Sequence, residues 1–185
     1  MSRTDQADAP PIAKYGRPRD VVWSLPSIEF PPLSERPRGE VCMAIMRPNG
    51  TLLLQTKRSY PGGVMRLPTG GVQTDEDLET ALLREIWEET NLTVTVDAYV
   101  ASIGYRAGDR VSHFRTHLFF VRELTGELMS NDPHEAISAW DEAAPASLRD
   151  YAQALRAIDA SWRDWGEFRA AALEVLADHL LGAGD

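Results

Sequence analysis

The residues of this 185-residue chain best equipped for chemistry are Glu85, Glu88 and Glu89, near the end of the stretch GGVQTDEDLETALLREIWEETNL at 70–92. On a 3.6-residue period Leu78, Ala81, Leu82, Glu85 and Glu89 share one helical stripe, with Glu88 at its border. The stripe begins apolar and ends in carboxylates. Carboxylates that continue a core-facing stripe are desolvated and repel one another, a conflict that a bound cation resolves. The alternative is a solvated acidic helix end, and two features weigh against it. Negative charge in a last turn opposes the helix macrodipole, so it costs stability without an outside partner. A glycine turn also precedes the helix. Gly70 and Gly71 permit a backbone conformation and a close approach that side chains would block. Thr74, with Asp77 three residues later, is patterned like a capping box at the helix start.

At this spacing the stretch resembles the signature of the Nudix hydrolases, G-x5-E-x7-R-E-U-x-E-E-x-G-U, with U a bulky apolar residue. Gly70, Glu76, Arg84, Glu85, Ile86, Glu88, Glu89 and Leu92 match it. Asn91 stands where the family usually has glycine; asparagine is the next most tolerant residue for the left-handed conformation that ends such a helix. The resemblance implies an α/β (α+β) fold, a Nudix-type α/β/α sandwich with a mixed β-sheet. It also implies a metal-dependent hydrolase that cleaves a diphosphate linkage, in a nucleoside diphosphate joined to another moiety, by water attack at phosphorus. Glu85, Glu88 and Glu89 would ligate the metal, Arg84 would orient these acids by salt bridging, and Glu76 would hold Arg84. The base would be Glu85 or a loop acid after the last strands, where Asp132, His134 and Glu135 are available and Glu135 is the choice.

Pyrophosphate is anionic and repels hydroxide until cations shield its oxygens; a metal supplies that shielding and acidifies its bound water. Oxygen ligands select Mg2+ or Mn2+, and the imidazole and thiolate donors that suit zinc are absent from the signature helix. Arg47, Lys57, Arg58 and Arg66 flank the expected mouth and are candidates for holding phosphates, together with Gly70 and Gly71. Tyr60 or Tyr105 is a candidate for stacking on a base or sugar. A catalytically silent Nudix-like nucleotide-binding or regulatory protein would keep the fold and commonly lose the acids, which are intact here. A scaffold protein would leave the carboxylate stripe without a cause. No zinc-protease, phosphate-loop or EF-hand pattern competes.

Composition narrows the partners. With 19 basic and 28 acidic residues the net charge is -9, which disfavours a stable nucleic-acid complex and favours a small-molecule nucleotide or nucleoside diphosphate derivative. Cys42 is the single cysteine, so no internal disulfide forms and a reducing cytoplasm is the expected location. The longest apolar run, Val41 to Met46, is far shorter than the ~20 residues of a membrane span, and the N-terminus has no signal-peptide core.

Several elements must position the acids. Residues 1–20 are polar, proline-containing and aperiodic and read as a disordered tail. Residues 21–39, with Val21, Val22, Trp23, Ile28 and Phe30 among prolines, read as an extended arm lying on the domain or on a second subunit of a homodimer. The domain core spans 40–145. VCMAIM and TLLLQTK around Pro48-Asn49-Gly50 predict a hairpin, and Val64 to Leu67 leads into the signature. Thr93 to Tyr105 and Ser112 to Val121 predict two strands joined at Ala107-Gly108-Asp109, and Ile137 to Trp140 predicts a short one. Within HFRTHLFFV, Phe114, Thr116, Leu118 and Phe120 belong to a core face, while His113, Arg115 and His117 line the cleft or meet water. C-terminal helices, about Ala146 to Ile158 and Asp164 to Leu181, pack on the same domain (146–185) through apolar stripes, the second on an outer layer or at a dimer contact.

Overall fold

EVCMAIM is apolar in succession, the pattern of a strand covered on both faces, and β2 (Glu40–Met46) is buried at every residue through Ile45. The structure, a computed structural model, describes residues 12–29, Leu33 and 39–182. Around β2 stand β1 (Arg19–Ser24), β3 (Leu52–Lys57), β4 (Thr69–Gly71), β5 (Thr93–Ala107), β6 (Arg110–Thr125) and β7 (Ile137–Ala143). They form one sheet in the order β1-β5-β6-β2-β3-β7, with β4 also on β2. The β1–β5 and β2–β6 pairs are parallel and the rest antiparallel, so the sheet is mixed, as expected. The helices are α1 (Ile12–Tyr15), α2 (Leu78–Thr90), α3 (Leu148–Arg156) and α4 (Arg163–Leu181).

Strand alternation divides the apolar residues between two cores. Val41, Met43 and Ile45 face Ala81, Leu82 and Ile86 of α2. Cys42 and Ala44 face the other way, toward Leu148 and Leu155 of α3 and Phe168 and Leu176 of α4. The result is an α+β sandwich with the sheet between α2 and the C-terminal pair. Helix α4 lies in the layer over this face of the sheet, the first of the two expected placements, and is deeply embedded there: from Phe168 to Leu173 every residue is buried. Gly166 makes that possible, since a Cβ there would collide with the Leu155 carbonyl of α3.

The β2–β3 hairpin differs from expectation in extent. Beyond the turn, closed by the Arg47 N–H to the Thr51 carbonyl at 2.8 Å, the strands share the single pair Met46–Leu52. Then β3 departs to pair with β7, and β4 takes the vacated edge of β2 beside Glu40, Val41 and Cys42. This divergence opens the end of the sheet where the signature glycines lie.

On β6 the second face is a core as well. Phe119 and Val121 pack under α2, His117 bonds the Tyr99 hydroxyl, and Arg115 bonds Ser102 Oγ at 2.6 Å and pairs with Asp20. His113 is exposed, so none of these three basic residues reaches the cleft described below. At the N-terminus, β1 begins at Arg19, inside the stretch that reads as tail, and Trp23 donates to Glu167 of α4 at 3.2 Å. The first half of the arm is thus an edge strand on its own domain; residues 1–11 and Phe30 lie outside the described residues. Among the described residues no helix is long and apolar enough to cross a membrane.

Candidate active site

Helix α2 is fixed at both ends. At its start Asp77 is the cap, accepting from the Thr80 N–H at 2.8 Å and the Thr80 hydroxyl at 3.0 Å. The box expected from Thr74 is therefore displaced by three residues, because an ionised aspartate bonds the first-turn N–H groups and also complements the helix dipole. At its end Asn91 is left-handed, with φ of 57°. Its side chain does more than tolerate that conformation. Asn91 Nδ2 donates to the Glu127 carbonyl at 3.0 Å, and Asn131 Nδ2 donates to Asn91 Oδ1 at 3.0 Å. Asn131 also donates from its backbone to the Glu88 carbonyl at 2.8 Å and from its side chain to the Trp87 carbonyl at 2.8 Å. The segment 127–132 thereby satisfies carbonyls that the last turn leaves open. It continues into a 3-10 turn, Pro133–Glu135, capped by Asp132, which delivers Glu135 to the end of α2.

There Glu85, Glu89 and Glu135 each place a carboxylate oxygen within 4.8 Å of the others. Glu89 has no exposed surface and Glu85 is buried. Burial pushes both carboxyls up, Glu89 to about 7 despite the nearby cations Lys57 and Arg66. Burial would raise Glu135 too, but its bonds to Glu89 and Lys57 hold it below the ordinary carboxylate value. Lys57 Nζ lies 3.0 Å from Glu89 and pairs with Glu135, and Gln55 Nε2 donates to Glu89 at 2.8 Å.

Arg84 ties the remaining acids together. It grips Glu76 with two bonds, Nε at 2.7 Å and Nη2 at 2.8 Å, and donates from Nη1 to Glu85 at 2.8 Å and Glu88 at 2.9 Å. Its last contact, Nη2 to the Gly71 carbonyl at 2.9 Å, ties the glycine strand to the helix. Glu88 is turned to Arg84 and stands outside the cluster of three acids, which Glu135 completes instead. Gly70 is extended and not at positive φ. Its role is space, since a Cβ there would fall inside the Glu85 carboxyl group.

The cluster opens on a cleft of about 270 Å3 whose wall includes Lys57, Tyr60, Arg66 and Arg169. Arg66 is on that wall as expected, bonded to the Tyr60 hydroxyl, the Leu67 carbonyl and Thr69 Oγ1. Tyr60 in turn rests against Trp165, with ring centroids 4.7 Å apart. Two expected phosphate contacts are elsewhere. Arg47 pairs with Glu123 at 2.9 Å and Glu142 at 3.4 Å beside the β2–β3 turn. A strand rises ~3.3 Å per residue, so the length of β3 separates that turn from Lys57 by roughly 17 Å. Arg58 is exposed and off the cleft. Tyr105 is buried in the core and bonds Thr116 at 2.8 Å, leaving Tyr60 as the aromatic residue at the cleft. Sequence reasoning does not single out Gln55, Glu40 or Arg169. For Arg169 a signal exists: a charge inside the apolar run of a helix buried on most sides.

Oxygen-only donors, desolvated, mutually repelling and given room by Gly70, are the donor set that a hard divalent cation takes. Residues 36–165 match the family model described as NUDIX domain. The chain belongs to the Nudix hydrolase family. It is 33% identical over 100 residues to the CTP pyrophosphohydrolase of Escherichia coli strain K12, covering 53% of this chain and 72% of that one. It is 30% identical over 97 residues to the ADP-ribose pyrophosphatase of Methanocaldococcus jannaschii, covering 52% of this chain and 57% of that one, so less than two thirds of the archaeal enzyme is spanned. The crystal structure of a C. elegans Ap4A hydrolase binary complex shares the fold, with a TM-score of 0.53 and 20% identity, over 79% of this chain and 99% of the other.

Proposed function

We propose that this Nudix hydrolase cleaves a diphosphate linkage in a nucleoside diphosphate derivative, using Mg2+ or Mn2+ held by Glu85, Glu89 and Glu135, with Glu88 as ligand to a further ion. The observation that carries this reading is the convergence of three carboxylates, two of them buried, within 4.8 Å of one another beside a cleft that also has a basic wall. A divalent ion bound there shields phosphate oxygens and acidifies water. The protein's own groups supply the rest. Arg84, saturated by Glu76, Glu85, Glu88 and the Gly71 carbonyl, holds the acids in register. Glu135 lines the cleft and is the most exposed of the three acids, which suits it to receive the proton of the attacking water. Lys57, between Glu89 and Glu135, offsets part of the cluster's charge and lines the cleft. Cys42 is buried and acts as a packing residue.

A panel of nucleoside triphosphates, nucleoside diphosphate sugars, dinucleoside polyphosphates and ADP-ribose, incubated with magnesium and followed by phosphorus NMR, tests the reading. Diphosphate cleavage of at least one class, abolished by Glu85→Gln in a folded protein, is the expected result. No cleavage across the panel, or full activity in Glu85→Gln, would refute it.

A further inference from the structure

Arg169 lies beyond residue 165, where the family match ends, yet it stands on the wall of the cleft. It is 8% exposed, and its one carboxylate partner among the described residues is Glu40, at 2.7 Å from Nη1. A guanidinium carries five N–H donors. Among the described residues no other acceptor is bonded to this one, and its buried Nε has no partner. Arg66, 2% exposed, bonds only neutral oxygens and forms no ion pair among the described residues. Among the described residues Glu40 is the one carboxylate in direct contact with either guanidinium, and Arg66 also faces Glu89 and Glu135 at longer range. The donors left without an acceptor are therefore those of Arg169, its buried Nε above all, and an unsatisfied buried donor is costly. An anion on the cleft side relieves that cost and fills the open donors. The Tyr60 hydroxyl reports the same field: burial would raise it, but Arg66, Arg169 and Lys57 outweigh burial and lower it.

We propose that Arg169 and Arg66 form a phosphate-binding subsite, so that the part of α4 beyond the matched family segment supplies a specificity-determining residue for the substrate's phosphate chain. Glu40 is the internal competitor: buried at 1% exposure and bonded also by Thr116 at 2.9 Å, it occupies Arg169 Nη1, which a phosphate would otherwise take. The identification of the anion as a substrate phosphate rests on the hydrolase reading; the binding of phosphate oxygens does not.

The test is calorimetric titration of sodium pyrophosphate into the whole protein in magnesium buffer, alongside KM and kcat for whichever substrate the panel yields. Arg66→Met is expected to weaken pyrophosphate binding at least tenfold and to raise KM more than it lowers kcat. Arg169→Met leaves Glu40 unpaired and risks the fold, so it is paired with Glu40→Gln, and the double variant is expected to show the same loss. Glu40→Gln alone is the decisive variant: it releases Arg169 from its carboxylate, so pyrophosphate should bind severalfold tighter. A purely structural ion pair predicts unchanged or weaker binding, and that result overturns the subsite. Unchanged pyrophosphate affinity in Arg66→Met and the double variant overturns it as well, while leaving hydrolysis standing. Pyrophosphate binding that depends on both arginines in a protein that cleaves nothing keeps the subsite and removes the hydrolase.

Discussion

Asn91→Gly separates two roles that one residue combines. If Asn91 served only to reach positive φ, glycine would be neutral or slightly stabilising, since it adopts that conformation freely. The structure predicts a loss instead, because the substitution deletes the bond to the Glu127 carbonyl and the bond from Asn131, both 3.0 Å. At ~0.5–1.5 kcal/mol each, partly offset by relief of the left-handed strain, the net cost is about 1–2 kcal/mol. For a protein of this length that lowers Tm by roughly 3–6 °C. Asn91→Val loses the same bonds and adds ~1–3 kcal/mol for a β-branched residue at positive φ, so its Tm should fall about twice as far. The functional consequence runs through 127–132, which caps α2 and leads directly into the turn bearing Glu135. Both variants should therefore bind manganese more weakly, although residue 91 contacts no ion. Calorimetric melting and manganese titration of the wild type and both variants decide the matter. A glycine variant equal to wild type in both measurements would refute the claim that this side chain anchors the loop.

Three further perturbations have worked signs. Gly70→Ala forces the Glu85 carboxyl out of its place, so turnover should drop on the order of 100-fold with a stability cost of ~1–3 kcal/mol, and wild-type kcat/KM would contradict it. Lys57→Met removes the cation bonded to both Glu89 and Glu135, so its Tm deficit should be large in chelator and should shrink when Mg2+ is added; an equal deficit in both conditions would mean that Lys57 does not balance the acids. Burial alone would raise the Glu40 carboxyl, but Arg169 and Arg66 hold it below its ordinary 4.5. A lowered folded value contributes stability above pH ~4.5 that is lost as pH falls through the folded value. Urea midpoints from pH 7 to 3 should accordingly show the wild type losing its margin over Glu40→Gln on acidification, and a margin constant with pH would contradict the assignment.

Much of this protein is legible in the periodicity of its sequence. The change from apolar to acidic along α2, the double-faced run of β2 and the β5–β6 hairpin depend on local pattern, which folding preserves. Glu135 is legible only through the family resemblance, which implies a loop acid in this region; the loop that bears it lies between β6 and β7. Arg47 is not, because a hairpin read as fully paired hides which end of β3 meets the site; the divergence of β3 toward β7 is a tertiary outcome. Arg169 and Gln55 escape sequence reasoning on related grounds. Whether a charge within a buried helix, or an amide within a strand, faces a cleft or a neighbour depends on how the layers are docked. The direction of Glu88 toward Arg84 likewise follows from side-chain geometry within a single turn, finer than a periodic stripe resolves.

The central claim is that desolvated carboxylates at the end of α2 are held together to bind a divalent cation. Titrating Mn2+ into the wild type and Glu89→Gln, with bound metal read by electron paramagnetic resonance, tests it most directly. Saturable binding in the wild type that falls at least tenfold in Glu89→Gln, while that variant melts at the same temperature or higher in chelator, is the predicted result. Undiminished binding in a folded Glu89→Gln would contradict it.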